Sequence, residues 1–105
     1  MPTLKLKTLT CNKTEDRIGA DEPYLHINGE KVWGPVKAKA GDILTINEQY
    51  QFKTNATIEL WEKDLDPDDH LGAHVVNQAE SGSGQSTAHF NEDGADYVLS
   101  YEVTD

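Results

Sequence analysis

The sequence predicts an all-β fold of about eight strands, a sandwich or barrel, and three observations predict it. Short segments rich in β-branched and aromatic residues alternate apolar with polar. Turn signals recur roughly every eight to twelve residues, the spacing of sandwich strands. No stretch carries apolar residues at helical spacing over ten or more positions.

The elements follow in order. Leu4 and Leu6 alternate with Lys5 and Lys7, and Leu9 and Cys11 continue in the opposite phase, which marks a first strand with a bulge near Thr8. Tyr24-Leu25-His26-Ile27 runs into Asn28-Gly29 and then Lys31-Val32-Trp33, a hairpin whose two-residue turn needs positive φ at both central positions. Gly41-Asp42 opens Ile43-Leu44-Thr45-Ile46, with Gln49-Tyr50-Gln51-Phe52 beyond it. A turn at Thr54-Asn55 leads to Thr57-Ile58-Glu59-Leu60-Trp61. Ala73 to Val76, Ser86 to Phe90 and Ala95 to Val103 complete the set, separated by Ser81-Gly82-Ser83-Gly84 and an Asp93-Gly94 turn. The aromatics in these runs are expected in the core or half-buried.

With 105 residues, residues 1–105 are expected to form a single domain around one core. A mean hydropathy of -0.66 makes the chain polar, yet the patterned apolar runs separate it from a disordered acidic tail. Nine Lys and Arg against 19 Asp and Glu give a net charge of -10, which excludes a dominant phosphate-contacting face and hence nucleic-acid binding. The N-terminus alternates and lacks the unbroken apolar run of a signal peptide, and no stretch approaches a spanning helix. A soluble, cytoplasmic, freestanding protein is expected, with peripheral membrane association open to it. Cys11 is the single cysteine and is expected to be a packed, inert thiol.

Nine of the 19 carboxylates fall in two clusters about forty residues apart, each adjoining a strand: Glu15-Asp16 with Asp21-Glu22, and Glu62, Asp64, Asp66, Asp68 and Asp69. Like charges about 4 Å apart repel by roughly 1 to 4 kcal/mol per pair at effective dielectrics of 80 to 20. Such crowding calls for a counter-charge, and a hard divalent cation with oxygen ligands, Ca²⁺, suits it. The plain alternative is a solvated polar end of the sandwich. In Glu62-Lys63-Asp64 the carboxylates are two apart at a strand end and point to one side, so Glu62, Asp64 and Asp69 are the first candidates. An EF-hand reading of Asp64-x-Asp66-x-Asp68 fails, because its sixth position would be Asp69 instead of Gly and its twelfth Val75 instead of Glu. His70 and His74 lack the further nitrogen or sulfur ligands a zinc site needs. No phosphate-binding glycine loop, nucleophile elbow or Cys-His signature points to an enzyme.

In a β context both loops resemble the calcium-binding loops of the C2 domain, a β-sandwich family. Asp16-Arg17-Ile18-Gly19-Ala20-Asp21-Glu22-Pro23-Tyr24-Leu25 is similar to the family's first loop, an Asp, a Gly three residues on, then Ser-Asp-Pro-Tyr. Trp61-Glu62-Lys63-Asp64 through Asp69-His70-Leu71-Gly72 resembles the loop that follows an aromatic strand end and reads Asp-x-Asp, then Asp-x-Leu-Gly. Asn47-Glu48-Gln49-Tyr50-Gln51-Phe52 resembles the family's Asn-Glu-x-Phe-x-Phe strand, and Gly94 to Val103 its closing strand, so the likeness spans Leu4 to Val103. The order of these pieces looks like the family's permuted, second strand order, and the resemblance implies the family's fold, an eight-stranded antiparallel Greek-key β-sandwich.

The resemblance implies calcium ligation by Asp16, Glu22, Glu62, Asp64 and Asp69, with the Lys63 backbone carbonyl as a further ligand. Asp66, Asp68, Asp21 and Glu15 stand in a second tier. It also implies a binding module without catalysis, directed to a phospholipid surface or a protein partner, with Arg17, Ile18 and Leu65 at the loop tips. Three departures are visible: Glu stands for Asp at positions 22 and 62, the second loop is one residue shorter, and Lys31, Lys37 and Lys39 form the only basic cluster. A calcium-independent C2-like interaction or structural domain is the alternative.

Overall fold

Leu4, Leu6, Leu9 and Cys11 all reach one core from a single strand because that strand changes phase once. The computed structural model describes residues 1–15, 19–64 and 67–105, and in it β1 (Thr3–Lys13) pairs with the last strand, β8 (Asp96–Thr104). The ladder steps from Leu6↔Tyr101 to Thr8↔Ser100, so Lys7 is the extra residue of a bulge. The step turns Leu9 and Cys11 back inward, and all four side chains are at most 1% exposed.

The remaining strands are β2 (Pro23–Ile27), β3 (Glu30–Trp33), β4 (Ile43–Gln51), β5 (Asn55–Glu62), β6 (Asp69–Asn77) and β7 (Gln85–Phe90). They form two four-stranded antiparallel sheets, ordered β4-β1-β8-β7 and β3-β2-β5-β6. This is a C2-like β-sandwich. The inward residues of both sheets make one core, from Leu4, Leu25, Ile58 and Leu60 to Phe90, Tyr97 and Leu99. Trp33 and Tyr50 pack half-buried against it.

Asn28 and Gly29 carry φ of 52° and 82°, the left-handed pair that the β2–β3 turn requires. Asn28 locks the turn to β5, since its N–H donates to the Thr57 carbonyl at 2.9 Å and its Oδ1 accepts from the Thr57 N–H at 2.9 Å. The run from Ile43 to Gln51 is one strand, with Asn47 at φ 55° where its register against β1 slips. β6 begins at Asp69, four residues before its apolar run, so the second acidic segment passes directly into a strand. Two short 3₁₀ segments, Gln78–Glu80 and Glu92–Gly94, fill the connections β6–β7 and β7–β8. Among the described residues, no helix is long and apolar enough to cross a membrane.

Candidate metal centre

The candidate site is built at the end of the sandwich where the β1–β2, β5–β6 and β7–β8 connections meet. β5 lies between β2 and β6, with Glu62 opposite Pro23 on one side and Asp69 on the other. That pairing places the carboxylates of a strand end and a strand start side by side. Glu62 is 2% exposed, and its Oε1 accepts the Glu22 N–H at 3.3 Å. The Lys63 N–H in turn donates to the Glu22 carbonyl at 3.0 Å, which ties the two acidic segments together through backbone.

Among the described residues, four side chains converge there. Glu15, Glu62, Asp64 and Asp69 each offer a carboxylate oxygen, and these oxygens lie within 4.8 Å of one another. A calcium ion with ligands at about 2.3 to 2.6 Å separates opposite ligand oxygens by at most about 4.6 to 5.2 Å, so the span of the four is compatible with one ion among them. The field is strongly negative. Burial of the Asp69 carboxyl pushes it above the usual aspartate range, and the like charges of Asp93 and Asp64 add to this against a lowering hydrogen bond with Glu15. Asp93 comes from the β7–β8 turn, a contributor that its reading as a turn residue did not reveal. His70 sits at the margin, with ring nitrogens 3.1 Å from Glu59 and 3.4 Å from Glu92 and its ring edge-on to Trp61 at 4.8 Å.

The other acidic residues expected at the site are placed differently. Asp16 and Asp66 lie outside the described residues, as do Arg17, Ile18 and Leu65. Glu22 has an exposed side chain and meets the site through its backbone. Asp21 is fully buried, where its Oδ2 accepts from the Tyr97 hydroxyl at 2.5 Å and the Glu15 N–H at 2.8 Å. Asp68 accepts the Tyr24 hydroxyl at 2.5 Å on Oδ2 and the Asp64 N–H at 3.0 Å on Oδ1. Both residues shape the segments that carry the cluster. Glu15, from the second tier, stands in the cluster itself, two residues beyond the end of β1.

Beside the site, Tyr24, His26, Lys31, Pro35, Lys63 and Asp68 line a shallow cleft of about 300 Å³. Lys31 Nζ stands 5.6 Å from the centroid of the Tyr24 ring, within cation–π range. Lys37 and Lys39 are exposed on the β3–β4 connection, either side of the buried Ala38.

No protein-family model matches the chain, and no curated protein sequence matches it. Solved structures do. A structure described as a C2 domain superposes over 100% of both chains with a TM-score of 0.70 at 16% identity. Human GIVD cytosolic phospholipase A2, in complex with methyl gamma-linolenyl fluorophosphonate inhibitor and terbium chloride, matches 98% of this chain and 16% of that one, with a TM-score of 0.59 and 18% identity.

Proposed function

We propose that this C2-like sandwich is a calcium-binding module whose acidic end coordinates Ca²⁺ and, once loaded, grips a phospholipid surface. The observation that carries the reading is the convergence of Glu15, Glu62, Asp64 and Asp69 at the loop end of that fold. Bringing four carboxylates together costs repulsion that a hard cation relieves. The residues fit calcium by charge, by oxygen chemistry and by span; Asp16, Asp66 and the Lys63 carbonyl are proposed to complete the shell, with the Glu22 carboxylate as a further ligand. Human GIVD cytosolic phospholipase A2 was solved with terbium, a hard cation of the same oxygen-seeking kind, which supports the choice of ion class.

The second half of the reading concerns the surface gripped. The chain carries a net charge of -10 and stays negative after taking up one or two divalent ions, so bulk attraction cannot bring it to an anionic bilayer. The bound ion must bridge to the headgroups, with Lys31 and Lys63 in the neighbouring cleft as local positive contacts. Co-sedimentation with vesicles of phosphatidylcholine and phosphatidylserine tests this. Pelleting in calcium that is lost in chelator and in Asp64→Asn/Asp69→Asn is expected. Equal pelleting with and without calcium, or none in either, rejects it. Calcium uptake without vesicle binding would redirect the module to a protein partner.

A further inference from the structure

We propose that Asp21 and Tyr97 form a buried latch that positions Glu15 for the cation, which makes Asp21 a positioning residue and Tyr97, on β8, a determinant of the site's affinity. The inference rests on the calcium reading above. Asp21 lies six residues beyond Glu15 and is fully buried. Its backbone N–H and carbonyl pair with Ala38, each at 2.9 Å, so the residue is fixed to the β3–β4 connection before its side chain is considered. One carboxylate oxygen then receives two donors, the Tyr97 hydroxyl at 2.5 Å and the Glu15 N–H at 2.8 Å.

Tyr97 is itself anchored. It is 0% exposed and pairs with Cys11 across the β1–β8 ladder. Burial and the neighbouring Asp21 carboxylate push the phenol far above its ordinary range, which keeps it a donor. A chain therefore runs from the core of one sheet through Asp21 to the Glu15 backbone, and from there to a carboxylate in the cluster. Glu15 follows the end of β1. Its Asp21 contact pins the backbone that aims its carboxylate. Groups that orient metal ligands from outside typically change affinity by roughly ten- to a hundredfold when removed.

Calcium affinity, measured by competition with a chromophoric chelator, tests the latch in the wild type, Asp21→Asn, Tyr97→Phe, Glu15→Gln and the Tyr97→Phe/Glu15→Gln double variant, each with its metal-free melting temperature. Tyr97→Phe is expected to weaken binding about tenfold, and the double variant to bind no more weakly than Glu15→Gln alone, because the residue being positioned is already gone. Tyr97→Phe that lowers the melting temperature but leaves affinity intact assigns it to stability alone and overturns the latch. Additive losses in the double variant overturn it too, since Tyr97 would then act through another ligand. If Asp21→Asn does not fold, Tyr97→Phe and the double variant still decide. A wild type that binds no calcium removes the calcium reading itself, whereas wild-type binding that Tyr97→Phe leaves unchanged removes only the latch.

Discussion

Asp68 and Tyr24 show how one contact sets two titrations. The Tyr24 hydroxyl, followed by the Asp64 N–H, holds the Asp68 carboxyl below the usual aspartate range. Burial, followed by Asp68, pushes the Tyr24 phenol up to about 12. A phenol whose folded value is raised stabilises the fold fully below its unfolded value near 10, and this stability is lost as pH rises from there through about 12. Tyr97 and Tyr101 are raised as well, both first by burial. Phenolate absorbance is therefore expected to rise late and together with loss of β circular dichroism above pH about 10; tyrosines that all titrate normally in a folded protein would contradict these contacts. Asp69 follows the same sign at lower pH. Its carboxyl is raised, so its ionised form works against the metal-free fold and the penalty is relieved as pH falls through the folded value. Asp69→Asn is expected to raise the metal-free melting temperature and to abolish the further rise on adding calcium; a lower metal-free melting temperature would refute the repulsion.

At the scale of elements, the connections are as constrained as the strands. Gly34, after β3, has φ 86°, and a Cβ there would meet the Pro23 carbonyl oxygen at 2.6 Å and Tyr24 atoms at 2.8 Å. Gly34→Ala combines a strained backbone, worth about 1 to 3 kcal/mol, with that clash, and chemical denaturation should read a loss of at least that order. Gly29→Ala, where nothing lies within 4 Å, is expected to cost less. The strands themselves were legible because alternation, the Asn28-Gly29 pair and the phase change after Leu6 are local signals with a fixed geometric meaning. Less legible were the Asp21↔Ala38 bridge and the passage of Asp69 straight into β6. Both depend on how a connection folds back on a distant strand, which no local pattern encodes. The capping box of Gln78–Glu80 was written as Asn77-x-x-Glu80 but obscured by the Gly/Ser stretch after it.

For the whole molecule, the acidic character visible in the sequence gathers much of its weight at one end. Spacing at the end of β5 put Glu62 and Asp64 on one side, and the structure brings them together with Asp69 and Glu15. Depth was not written in that spacing: Glu62 and Asp21 are both buried, yet one enters the cluster and the other turns towards Tyr97. A cation bound only by the folded state stabilises it by about 2.7 kcal/mol at a hundredfold excess over its dissociation constant, so the melting temperature should climb with calcium concentration and not with sodium at equal ionic strength. The most direct measurement is a calorimetric titration of Ca²⁺ into metal-free protein at physiological ionic strength, with Mg²⁺ and Asp64→Asn/Asp69→Asn as controls. Saturable heat that resists Mg²⁺ and vanishes in the double variant is expected. No heat at millimolar Ca²⁺ would contradict the calcium module and leave a calcium-independent sandwich.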